Sequence, residues 1–128
     1  MNENIIALFP EAVGLGELLE IIRFIRDTNA DRVIIFGEDS ISTRIFARIN
    51  GFTYVHGGDG QTEEIYSKRY SNVRCYEKGS LEHQRGVLAK EKVNTLYAFD
   101  ATDYREAFGD MDIEIAELPM RAERKPCR

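Results

Sequence analysis

The chain has 128 residues, 43% of them hydrophobic and 30% charged, with a formal net charge of -5. That length suits one domain with a sizeable core. The acidic balance argues against a nucleic-acid-binding surface, which needs cations to meet phosphates. No apolar run approaches the roughly 18 residues of a membrane span.

In chain order, Met1-Asn2-Glu3-Asn4 lacks the basic start of a signal peptide, so a cytoplasmic location is expected. Ile5–Phe9 is apolar throughout and reads as a first strand, which Pro10 ends. A helix follows from Leu15 to Asp27, with Leu15, Leu18, Leu19, Ile22 and Ile25 on one face. The clearest strand is Arg32–Phe36, an apolar run suited to burial on both faces of a parallel sheet. Its polar turn, Gly37-Glu38-Asp39-Ser40, opens a second helix capped by Asp39 or Ser40. Ile41, Ile45 and Ile49 are spaced to form that helix's packing face, and Asn50-Gly51 stops it.

Phe52–Val55 reads as a third strand, and a helix is expected from about Thr62 to Tyr70. Val73–Tyr76 is a short strand, and Ser80 caps a helix to about Lys92 whose thin apolar content predicts wide exposure. Thr95–Phe99 is a fifth strand. Asp103 and Glu106 have the spacing of a capping box for a short helix ending at Gly109. Ile113 to Leu118 forms a half-exposed edge strand, closed by Pro119. Residues 1–119 therefore make one α/β domain, and residues 120–128 a basic tail. Alternating strands and helices predict a three-layer Rossmann-like or flavodoxin-like domain. Its mainly parallel sheet would have five to six strands, with helices on both faces. The turns after the strands then gather at one edge, where such folds bind ligands.

Three stretches carry candidate chemistry. Gly14-Leu15-Gly16 opens the first helix, where glycines let a phosphate reach backbone N–H groups, and Glu38 stands where a dinucleotide fold places its ribose-binding acid. The Gly57-Gly58-Asp59-Gly60 loop can form an anion-binding nest, or a plain turn with Asp59 as a cap. This string resembles the loop of the NAD kinase and diacylglycerol kinase families, with Gln61 where they have threonine. Asp100 and Asp103, joined by Glu38 or Asp39, could hold Mg²⁺ in an arrangement similar to toprim domains, which would make the chain a nucleic-acid enzyme. His56 and His83 have no partner at motif spacing, and neither has Cys75. Cys75 and Cys127 read as free thiols.

Taken together, Ile5–Phe9, Gly14-Leu15-Gly16, Leu15–Asp27, Val33–Phe36, Ser40–Asn50, Gly51–Val55 and Lys92–Asp100 follow an order. It resembles that of the amino-terminal Rossmann-like domain of two-domain (GT-B type) glycosyltransferases. Glu17 stands where that family often has histidine. The resemblance implies a nucleotide-sugar chemistry completed by a partner subunit. The ligand expected from the residues themselves is a nucleotide or another phosphorylated small molecule, contacted by Gly14, Gly16, Glu38, Asp39 and residues 57–60. The alternative is an accessory protein, docking a partner protein or assembling as a homo-oligomer.

Overall fold

The computed structural model describes residues 3–10, 15–56 and 62–118. The described elements are β1 (Ile5–Phe9), α1 (Leu15–Thr28), β2 (Arg32–Gly37), α2 (Ser40–Asn50), β3 (Phe52–His56), β4 (Thr62–Ile65), β5 (Tyr70–Glu77), α3 (Leu81–Lys90), β6 (Thr95–Ala98), α4 (Thr102–Phe108) and β7 (Glu114–Glu117). The strands form one seven-stranded sheet in the order β4-β3-β5-β2-β1-β6-β7. All neighbours are parallel except β3 and β4. The sheet is larger than the five to six strands expected, because residues 62–65 extend along β3 as an antiparallel edge instead of forming a helix.

β1 lies between β2 and β6, so the chain leaves it toward one edge first and the other edge later. β5 is inserted between β2 and β3, and its register with both is fixed: Phe36 and Val55 each lie beside Tyr76. The central strands alternate between two apolar clusters. Ile5, Ala7, Phe9, Phe36 and Tyr76 join Val87 and Leu88 of α3 and Tyr104 and Phe108 of α4. Ile6, Leu8, Ile35 and Cys75 join Ile21 of α1 and Ala47 of α2. A strand flanked on both faces must be apolar at consecutive positions, which is why β1 is buried along its whole length.

The expected face of α1 is borne out at Ile22 and Ile25, which pack against the core, but not at Leu19, and the expected face of α2 is turned outward. Among the described side chains of α1, Ile21 is fully buried and Leu19 is exposed. In α2 the buried residues are Thr43 and Ala47, while Ile41, Ile45 and Ile49 are exposed. The cause is a close approach between strand and helix. A Cβ on Gly37 would lie only 1.9 Å from Thr43 Oγ1, so β2 ends on a residue with no side chain and α2 sits directly on it. Only small side chains fit that contact, and the isoleucine row is turned away. Asp39 caps α2 by accepting from Ser42 N–H at 2.7 Å, and Gly51 ends it at φ 75°.

α3 is better buried than its composition suggests, with Gln84, Val87 and Leu88 inside. α4 starts without a side-chain cap at its preceding residue, Ala101, so Asp103 stands in the first turn rather than in a capping box. Both sheet rims are glutamate-rich, with Glu63 and Glu64 on β4 and Glu114 and Glu117 on β7. Residues 119–128, including Cys127 and the basic tail, lie outside the described residues.

Candidate functional site

His56, Glu77 and Gly37 end three adjacent parallel strands. Gly37 pairs with Glu77, and Val55 pairs with Tyr76, which brings His56 level with Glu77. Strand alternation then turns Tyr54, His56 and Glu77 to the α2 face. Because Gly37 lets α2 come down on the sheet, the first turn of α2 stands beside these three side chains. A cavity of about 150 Å³ results, lined by Ser40, Ile41, Arg44, Tyr54, His56 and Glu64.

Glu77 organises this group. Its Oε2 accepts from the Tyr54 hydroxyl at 2.7 Å and lies 3.0 Å from His56 Nδ1. The Tyr54 hydroxyl proton is directed to Glu77, so the 3.0 Å contact needs a proton on Nδ1. In the neutral imidazole that leaves Nε2 as the acceptor. Burial, and then the bond to Glu77, push the Tyr54 phenol well above its ordinary range and keep it a donor. Glu77 is held in turn by its own turn. His83 Nε2 lies 3.0 Å from the Glu77 carbonyl oxygen, and Lys78 N–H donates to Gly37 O at 2.7 Å. His83 is therefore half-buried and structural rather than a free surface histidine.

Arg44 closes the other wall. Its guanidinium donates to both carboxylate oxygens of Glu64, at 2.9 and 2.6 Å. The Tyr66 hydroxyl donates to the same carboxylate. The Tyr66 bond first, and Arg44 second, hold the Glu64 carboxyl below its usual range. The site thus places an Arg44–Glu64 ion pair, an oriented imidazole and a serine at a helix start around one small opening.

The residues singled out from the sequence are dispersed. Glu38 is exposed after β2, 3.8 Å from Lys78 Nζ, and Asp39 is committed to the α2 cap. Asp100 follows β6 and accepts from Thr102 N–H at 3.1 Å, which with the Thr102 side chain holds its carboxyl low. Asp103 is exposed on α4. Among the described residues no three His, Cys, Asp or Glu side chains gather as a metal site. Gly16 lies inside α1, while Gly14, Gly57, Gly58, Asp59 and Gly60 lie outside the described residues. Cys75 is fully buried, and burial pushes its thiol far up, which leaves no nucleophile there.

The sequence does contain a signal for the missed pair. Tyr54 and His56 have the spacing of two on one strand face, and Glu77 ends the next strand in space. Twenty-one residues separate His56 from Glu77, so only the insertion of β5 beside β3 joins them. A scan against protein-family models and searches of curated proteins and of solved structures gave no match for this chain.

Proposed function

We propose that this chain is a small Rossmann-like, three-layer binding domain. It takes a nucleotide or another phosphorylated small molecule at the carboxyl edge of its sheet. The observation that carries the reading is the His56–Glu77–Tyr54 group beside the first turn of α2, open to a cavity that also holds Ser40 and Arg44. Arg44 can meet an anionic ligand by giving up its bonds to Glu64. The glutamate-oriented imidazole suits a proton transfer to or from a ligand hydroxyl. The glycosyltransferase resemblance adds nucleotide sugars to the ligand class.

The test is calorimetric titration and thermal unfolding with inorganic phosphate, nucleotides and nucleotide sugars. A ligand at a hundred times its dissociation constant should stabilise the fold by about 2.7 kcal/mol. His56→Ala and Arg44→Ala should each weaken that binding at least about tenfold, a loss of roughly 1.4 kcal/mol. If no phosphorylated compound binds, or if both variants bind like the parent, the assignment is wrong.

A further inference from the structure

Three donors converge on the Glu64 carboxylate. Arg44 gives Nε–H and Nη2–H at 2.9 and 2.6 Å, the two-pronged geometry that a guanidinium offers to phosphate as well as to carboxylate. The Tyr66 hydroxyl is the third donor. Glu64 lies opposite Tyr54 in the β3–β4 register, so the cluster stands beside the His56–Glu77 group. Arg44 and Glu64 line the same cavity as Ser40 and His56. The carboxylate thus sits on the donors that an anionic ligand of this cavity needs.

The hold on Glu64 is firm but exchangeable. Its bidentate geometry favours the closed pair. The Arg44 and Glu64 side chains are nevertheless 57% and 30% exposed, and ion pairs open to water are cheap to separate. The strand behind Glu64 has other ties. β4 is in register with β3 from Thr62 to Ile65, and Arg74 takes up Glu63. The Glu64 side chain can therefore turn out to solvent while β4 stays on the sheet.

We propose that Arg44 and Tyr66 form an anion subsite for a terminal phosphate, and that Glu64 is its built-in competitor, displaced when the ligand binds. This rests on the reading of the cavity as a site for phosphorylated compounds and adds what controls its affinity. A phosphomonoester carries close to two negative charges above its second pKa of about 6, and its oxygens can take both guanidinium N–H groups and the Tyr66 hydroxyl. Glu64, with one charge, has the advantage of being tethered in place. Apparent affinity then falls by the fraction of time the subsite is vacant, so removing the competitor tightens binding. The opposite role, a glutamate that orients Arg44 for the ligand, predicts the opposite sign.

The experiment titrates methyl phosphate and dimethyl phosphate at pH 8 into the parent, Glu64→Gln and Glu63→Gln, following the Arg44 Nε–H resonance. Glu64→Gln should bind methyl phosphate at least about tenfold more tightly than the parent, which corresponds to a subsite vacant about one tenth of the time. Methyl phosphate should bind more tightly than the singly charged diester in each protein. Glu63→Gln removes the same charge from a residue bound to Arg74 instead, and should change affinity less than about twofold. Glu64→Ala should act in the same direction as Glu64→Gln, which guards against a fold defect peculiar to one variant. Binding by Glu64→Gln and Glu64→Ala that equals or falls below the parent's overturns the proposal and leaves the phosphate reading standing. Equal gains from Glu63→Gln and Glu64→Gln overturn it too, by reducing the effect to general charge repulsion. If neither ester binds any of the proteins, the subsite is refuted, and nucleotides titrated into the same parent decide the underlying reading separately.

Discussion

Two glutamates in this fold do the same local job with opposite outcomes. Glu77 and Glu91 each accept a hydroxyl from a strand tyrosine, Tyr54 for the first and Tyr76 for the second. Glu91 is buried at the end of α3 and meets two guanidinium groups, with Arg32 at 3.1 Å and Arg74 at 3.0 Å. Arg74 reaches on to Glu63 of β4, which ties the hairpin edge to the interior. Glu77 meets an imidazole instead, and His56 is 58% exposed at its side chain. One network is closed and permanently charged. The other is open, and its cation exists only when the imidazole takes up a proton. The first ties elements together, and the second keeps an oriented imidazole at the surface.

The largest break in that comparison comes from matched amides. Glu91→Gln leaves two arginines facing a buried neutral group and should cost about 3–5 kcal/mol in urea unfolding. Glu77→Gln keeps an acceptor at a partly solvated position and should cost less than about 1 kcal/mol. Comparable losses from the two would erase the distinction between the closed and the open network.

Gly37→Ala sharpens the comparison at the open site. The added Cβ collides with Thr43, so α2 must lift from the strand ends, at a cost of about 1–3 kcal/mol. Thr43 Oγ1 is buried and lacks a hydrogen-bond partner among the described residues, so Thr43→Ala alone should cost little of its hydrogen bonding. The double variant should regain part of the stability lost by Gly37→Ala. Additive losses in a denaturation cycle would show that the contact does not set the position of α2.

The smallest effect is alkaline. Burial first, and the bond to Glu91 second, push the Tyr76 phenol up to about 12. A phenol raised above its unfolded value of about 10 contributes stability below that pH, and the contribution is lost as pH rises toward 12. Unfolding measured from pH 9 to 12 should therefore show a decline that Tyr76→Phe flattens, with about 1 kcal/mol lost from that variant at neutral pH. An unchanged pH slope in the variant would remove Tyr76 from the closed network.

Much of the fold was legible because its signals are local. β1 and β2 are continuous apolar runs, and the Asp39 cap and the Gly51 stop depend on a few neighbouring residues. β4 was not legible. Thr62-Glu63-Glu64-Ile65 is polar and short, and it is a strand only because β3 offers a free edge and Arg44 and Arg74 take up its glutamates. The face of α2 was misread for a related reason. Isoleucine spacing marks an apolar ridge without saying whether the ridge faces inward, and the deciding contact is between Gly37 and Thr43. The site shares this character, since His56 and Glu77 are joined by strand order alone.

The glutamates on the two rims carry a consequence for how the molecule grows. An open sheet ends in unpaired backbone groups that can template another chain. At β7 a second rim brings carboxylates close to carboxylates, and like charges facing each other across strands repel, whereas the β4 glutamates are already paired with Arg44 and Arg74. Fibre-like extension of the sheet is therefore penalised by charge at the β7 rim.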